Sequence, residues 1–164
     1  MKIAIISDIH DNLTNLDKFL DWANKQDINV LLCTGDITNN ESLQRLATGF
    51  KNNIYLVSGN QELYDPSDLE PENIHFLGRT GIVTLAGHKI GLCHEPYLIH
   101  ELLEKRPDLD IVFYGHTHKP WIETQGDIKI VNPGTLGGMF QKATFAFWEP
   151  DKKNIELKIL ELIK

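Results

Sequence analysis

The sequence predicts an α/β protein in which two β-sheets pack face to face with helices on the outside. The first half alternates short apolar, β-branched runs with segments of helical periodicity, the pattern of consecutive βα units. The second half is a series of strand-like runs at hairpin spacing. The chain of 164 residues is long enough to bury a substantial core, and it contains no repeat, low-complexity stretch or linker. One domain over 1–164 is therefore expected.

Residues 2–7 (Lys-Ile-Ala-Ile-Ile-Ser) read as a buried parallel strand. Leu13, Leu16, Phe19, Leu20 and Ala23 then recur at helical spacing, with Asn12 or Thr14 placed to cap the helix. A second buried run covers 29–34, a short helix 41–49, and a third strand 54–57. The polar stretch 60–72, with Pro66 and Pro71, reads as a surface loop. Strands follow at about 80–86, 88–93, 110–114, 120–124, 127–132, 143–149 and 154–161, with a helix at about 97–105. Gly87 and Gly126 fall at hairpin turns.

Composition narrows the class. Apolar residues make up 41% and charged residues 24%, as in a soluble globular protein, and no apolar run is long enough to span a bilayer. The N-terminal apolar run meets Asp8 before a signal-peptide core could form, so a cytoplasmic location and no membrane partner are expected. Cys33 and Cys93 each lie in an apolar run and read as buried small hydrophobes rather than as a disulfide or zinc pair. The net charge is −7 and the basic residues are scattered, which speaks against long nucleic acid as a partner. A bound metal ion can still attract a single phosphate.

Chemistry enters through a repeated arrangement. Each of several apolar runs ends in a residue able to bind metal. Asp8 and His10 follow the first strand, Gly35-Asp36 the second, Gly59-Asn60 the third, His94 the run 88–93, and Gly115-His116-Thr117-His118 the run 110–114. Ligands of open α/β sheets bind beyond the carboxyl ends of the strands, so mostly parallel strands would gather these seven side chains at one edge. Each motif alone has a plainer reading. Asp8 and Gly35-Asp36 suit caps and turns, as does Gly59-Asn60; His94 suits a hydrogen-bonded core. Strand alternation could put His116 and His118 on opposite faces. Together, two Asp, one Asn and four imidazoles make a mixed O/N donor set that suits manganese, iron, nickel, cobalt or zinc. The set is too rich in nitrogen for calcium or magnesium alone and too large for one tetrahedral zinc. It suits two ions sharing a carboxylate. The glycines before Asp36, Asn60 and His116 would let the backbone turn into such a site.

In order, Asp8-Ile9-His10, Gly35-Asp36, Gly59-Asn60, His94 and Gly115-His116-Thr117-His118 resemble the motifs of the calcineurin-like metallophosphoesterases, and Asn132-Pro133-Gly134-Thr135 resembles that family's Asn-Pro-Gly-Ser turn. The compact length is similar to the small single-domain phosphodiesterases among them. The resemblance implies a four-layer αββα sandwich of two mixed sheets. It implies two divalent ions, manganese first among the candidates, one held by Asp8, His10, Asp36 and His118 and the other by Asp36, Asn60, His94 and His116. It implies hydrolysis of a small phosphate ester, most naturally a diester, by a hydroxide between the two ions and without a protein nucleophile. Homo-oligomers are common among such relatives.

Two positions depart from the family pattern. Gln61 stands where many relatives have a His that assists the leaving group, and an amide cannot donate a proton at neutral pH. Substrates whose leaving group needs little help are then expected. Glu95 stands after His94 where Gly is usual, either as a solvated loop residue or as a partner of an imidazole. Asn12 and Gln61 are candidate substrate contacts, with helix capping the rival for Asn12. Asn39 and Asn40, just past Asp36, read as turn residues, with lining of the pocket the rival. Trp121 reads as a ring for a nucleoside or aryl group or as core, and His75, His88 and His100 as non-ligands. The rival functions are a protein-binding scaffold of the same fold, a phosphomonoesterase, and a metal hydrolase acting on another bond such as an amide.

Overall fold

A computed structural model describes residues 1–65, 71–152 and 154–163. Strands β1 (Ile3–Ile6), β2 (Val30–Cys33), β3 (Asn53–Leu56), β4 (Ile74–Phe76), β10 (Thr144–Glu149) and β11 (Asn154–Ile159) form one sheet in the order β11-β10-β1-β2-β3-β4. Strands β5 (Thr80–Leu85), β6 (His88–Cys93), β7 (Ile111–Phe113), β8 (Trp121–Gln125) and β9 (Ile128–Asn132) form the other in the order β5-β6-β7-β9-β8. Both sheets are mixed: β1 to β4 pair in parallel, as do β6, β7 and β9, and the remaining pairings are antiparallel.

Alternation along β1 shows how the layers arise. Ala4 and Ile6 face α1 (Leu13–Lys25) and α2 (Asn40–Gly49), in a core with Leu16, Phe19, Leu43 and Leu46. Ile3 and Ile5 face the second sheet and pack with Leu32, Ile90, Leu92, Ile111 and Phe113. The outer face of that second sheet meets α3 (Tyr97–Lys105) through Cys93, Leu98, Leu102 and Val112. The result is the expected four-layer αββα sandwich. Cys33 and Cys93 are both buried and free, in different layers.

Asn12 caps α1, its side chain accepting from the Asn15 amide at 3.1 Å, and Asn39 caps α2 in the same way through Ser42 at 3.0 Å. Ala86-Gly87 and Gly126-Asp127 close the two tight hairpins, with positive φ at Ala86, Gly87 and Gly126.

Two differences from the sequence reading concern element type. Residues 73–79, between the expected loop 60–72 and the strand expected from about 80, carry no element in that reading, yet they contain β4, which pairs parallel with β3. Three residues on a sheet edge carry too little periodicity to stand out. Residues 66–70 of the expected loop lie outside the described residues. The last strand ends at Ile159, and Leu160–Leu162 form a 3-10 turn. Among the described residues no helix is long and apolar enough to cross a membrane.

Candidate metal centre

In-register parallel pairing brings the ends of β1, β2 and β3 together, since Ile6 lies beside Cys33 and Cys33 beside Leu56. The ends of β6 and β7 coincide likewise in the other sheet. The two edges meet where His94 Nδ1 lies 2.7 Å from the Thr34 carbonyl oxygen. Beyond this edge the chain breaks from strand geometry abruptly. Asp8, His10, Asp36, His116 and His118 all have left-handed backbones, with φ of 53, 45, 53, 67 and 57°. Non-glycine residues seldom adopt this conformation, and its concentration in five of the seven candidate ligands marks strain held at a site.

The loops are stitched to one another by the backbone. The Asp36 carbonyl accepts from the amides of Ile9 and His10 at 2.9 and 3.1 Å, and the Asp8 amide donates to Gly35 at 3.0 Å. Gly59 and Gly115 are required for space rather than for turning. A Cβ on Gly59 would lie 2.0 Å from Asp36 Oδ1, and one on Gly115 would lie 2.0 Å from Ser7 Oγ and 2.8 Å from Asp8 Oδ2.

All seven side chains converge. His10 Nε2 and His118 Nε2 are 3.1 Å apart and lie 3.6 and 3.1 Å from Asp8 Oδ1. Asp36 Oδ2 lies 3.8 Å from His10 Nε2 and 3.3 Å from His94 Nε2. Asn60 Oδ1 lies 3.0 Å from His94 Nε2 and 2.8 Å from His116 Nδ1. Among the described residues, Asp8, His10 and His118 form one group able to hold an ion, and Asp8, Asp36 and His94 form a second.

The donor set fits a cation. Nδ1 of His94 donates to Thr34 and Nδ1 of His118 donates to the Met139 carbonyl at 3.2 Å, so each neutral ring turns the lone pair of Nε2 toward carboxylate or amide oxygen. Acceptors thus face acceptors. Asp8 Oδ1, fully buried, receives no hydrogen bond. Such an arrangement is unfavourable unless positive charge sits within it.

Without a metal, protons supply that charge. Burial alone would raise the Asp8 carboxyl, but the His10 and His118 imidazoles beside it and the nearby His94 charge hold it well below the usual range. For Asp36, burial is likewise outweighed, by His94 and the Gln61 amide. Burial opposes the charge on His94, yet Asp36 and Asp8 hold its pKa above normal. For His118 the adjacent Asp8 carboxylate is the largest influence and raises it.

The remaining candidates are placed as follows. Gln61 donates its backbone amide to Asp36 Oδ1 at 2.9 Å, which leaves Oδ2 to face the imidazoles. The Asn12 amide group is engaged within the protein, Nδ2 donating to the Gly137 carbonyl at 2.9 Å in addition to the cap. Glu95 is neither a solvated loop residue nor an imidazole partner: its side chain is 12% exposed and pairs with Arg79 at 3.2 Å, a contact between distant residues that sequence spacing does not reveal. Trp121 is not core. It is 47% exposed on edge strand β8, where all five residues are exposed, with Lys119 Nζ 5.2 Å from the ring centroid. His75 stacks with Tyr55, His88 lies 3.9 Å from Asp110, and His100 lies 3.4 Å from Glu104, all apart from the cluster.

Sequence reading missed Glu62. Its carboxylate accepts from the amides of Thr38 at 2.9 Å, Gly59 at 3.1 Å and Ile37 at 3.4 Å, tying the segment after Asp36 to the one before Asn60. An acidic residue two positions past a motif Asn was the available signal. The Asn132 side chain plays a comparable part, donating to the Gly115 carbonyl at 2.8 Å and to Thr117 Oγ1 at 3.0 Å while accepting from Gly134.

The model of the calcineurin-like phosphoesterase superfamily domain matches residues 1–153. The chain belongs to the calcineurin-like phosphoesterase superfamily. It is 28% identical to phosphodiesterase MJ0936 of Methanocaldococcus jannaschii over 98% of its own length and all of the relative's. Its fold is shared with a structure described as a novel archaeal phosphodiesterase, at a TM-score of 0.87 and 24% identity over 97% of this chain and 99% of the other. Wild-type Vps29 of Entamoeba histolytica complexed with zinc also shares the fold, at a TM-score of 0.68 and 21% identity over 96% and 97% of the two chains.

Proposed function

We propose that this member of the superfamily is a metal-dependent phosphodiesterase that hydrolyses a small phosphate ester at a two-ion centre, with manganese the foremost candidate and iron, nickel, cobalt or zinc the alternatives. The observation that carries this reading is Asp36 Oδ2 lying between His10 Nε2 and His94 Nε2, at 3.8 and 3.3 Å, in a cluster of facing acceptors. In this reading Asp8, His10, Asp36 and His118 hold one ion, and Asp36, Asn60, His94 and His116 hold the other, with Asp36 shared. Bound there, the ions would supply an acidified water as nucleophile and positive charge against the phosphoryl oxygens.

The protein's own groups prepare that chemistry. Thr34 and Met139 carbonyls fix the tautomers of His94 and His118. The Gln61 amide orients Asp36. No proton donor stands at the Gln61 side chain, so departure of the ester oxygen relies on that group's own stability, which favours diesters with good leaving groups.

The test is to purify the protein without chelator, measure its metals, and assay bis-p-nitrophenyl phosphate with and without added manganese, alongside Asp36→Asn. We expect metal-dependent turnover that Asp36→Asn lowers at least about 100-fold, with loss of one equivalent of metal. Metal-loaded protein without turnover would overturn the reading and favour the rival, a non-catalytic protein-binding scaffold. Metal content alone does not separate the two, because the Vps29 neighbour was solved with zinc. Faster turnover of an alkyl monophosphate than of the diester would favour a phosphomonoesterase instead.

A further inference from the structure

Among the described residues, Phe140 is the most exposed large apolar side chain, at 89%. Its φ is +62°, a left-handed conformation that an aromatic residue rarely adopts. Both features are unfavourable in the isolated protein: the ring leaves its apolar surface in water, and the backbone beneath it is strained. The position is not arbitrary. The Phe140 ring lies 6.4 Å from the His118 ring, centroid to centroid, with 25° between the planes. The preceding residue, Met139, supplies the carbonyl that fixes the His118 tautomer and is itself 41% exposed. One loop between β9 and β10 therefore both sets an imidazole of the centre and raises an apolar shelf beside it.

We propose that Phe140 is a specificity-determining residue whose ring stacks on a planar aromatic ester group of the substrate. This rests on the phosphoesterase reading above. In this reading a phosphoryl group held by the Asp8, His10 and His118 side of the centre would have the exposed Phe140 ring within reach of an ester substituent, because that ring lies 6.4 Å from the His118 ring. An aromatic group buries that face, as rings and bases do on aromatic platforms. The leaving-group argument points the same way from a separate residue. With Gln61 unable to donate a proton, an oxygen attached to an aromatic ring can leave with its charge delocalised. Phe140 then holds such a group in place.

The experiment compares binding of phenylphosphonate and methylphosphonate, neither of which can be hydrolysed at its P–C bond, by calorimetry on protein purified without chelator. Turnover of bis-p-nitrophenyl phosphate is followed in parallel. Wild type should prefer the phenyl compound, and Phe140→Ala should lose about tenfold of that preference while methylphosphonate affinity stays within about twofold. Phe140→Trp should keep the preference. Since the residue is on the surface, its replacement should leave the melting temperature nearly unchanged. A nucleoside 5′-phosphonate in place of the phenyl compound tells a nucleobase from an aryl group, the larger Phe140-dependent loss marking the better-fitting ring. If wild type hydrolyses the diester but Phe140→Ala retains the phenyl preference within about twofold, this inference alone falls. If wild type neither hydrolyses the diester nor binds methylphosphonate, both readings fall.

Discussion

Replacing Glu62 with Ala should destabilise the whole centre although Glu62 touches none of the seven converging side chains through its carboxylate. That carboxylate accepts two well-formed backbone hydrogen bonds, from Thr38 and Gly59 at 2.9 and 3.1 Å, and a longer one from Ile37 at 3.4 Å. A hydrogen bond to a charged group contributes about 1.5–3 kcal/mol. Glu62 is only half-buried, so the lower figure applies, and the two good bonds together come to about 3 kcal/mol. For a chain of this size each kcal/mol corresponds to roughly 2–4 °C, so the metal-free protein should melt about 6–12 °C lower. The assay is thermal unfolding followed by circular dichroism in the presence of chelator. Glu62→Gln keeps one acceptor and loses the charge, and should fall between wild type and Glu62→Ala. The same variants should bind manganese about 10–100-fold more weakly, because the segments carrying Asp36 and Asn60 lose their common anchor. A melting temperature within about 2 °C of wild type, with unchanged metal affinity, would refute the stitching role.

The metal-free protein should also show a defined pH dependence. Asp8 and Asp36 are held below their normal pKa values, so their contribution is present above about pH 4 and is lost as pH falls through the lower folded values. His94 and His118 are held above theirs, so their contribution is complete below about pH 6.5 and is lost as pH rises through the raised folded values. Chelator-treated protein should therefore melt higher at pH 5.5 than at pH 8.5, whereas stabilisation by added manganese should grow with pH as the imidazoles release protons; equal stabilisation at both pH values would contradict this. Gly115→Ala should cost about 1–3 kcal/mol in chemical denaturation and lower the bound metal, since the new Cβ would crowd Ser7 Oγ at 2.0 Å and Asp8 Oδ2 at 2.8 Å. Gln61→His should restore a proton donor and raise turnover of alkyl diesters about tenfold or more relative to aryl diesters. An unchanged alkyl-to-aryl ratio would show that Gln61 does not sit where the leaving group departs.

The amino-acid sequence by itself carried most of the elements and the residue types gathered at the candidate site. Short buried strands, each ending in Asp, Asn or His, could be read from local periodicity, and those ends carry their metal-capable side chains wherever the strands go. The extents of α1, α3, β5 and β6 follow from the same local rules, because periodicity and caps act within a few residues. β4 was lost because three edge residues leave no period to detect. Only the tertiary structure decided what depends on partners far apart in the chain. Parallel register between β1, β2 and β3, and the meeting of the two sheets at Thr34 and His94, turned seven separate side chains into one cluster. Long-range contacts also gave Glu62 its three amides, aimed His94 and His118 through the Thr34 and Met139 carbonyls, and drew Glu95 to Arg79 rather than to an imidazole. Sequence records which groups can hydrogen-bond or bind a cation. Which of them face each other within about 3 Å is fixed only when the sheets close and the strained loops at their edge are held in place.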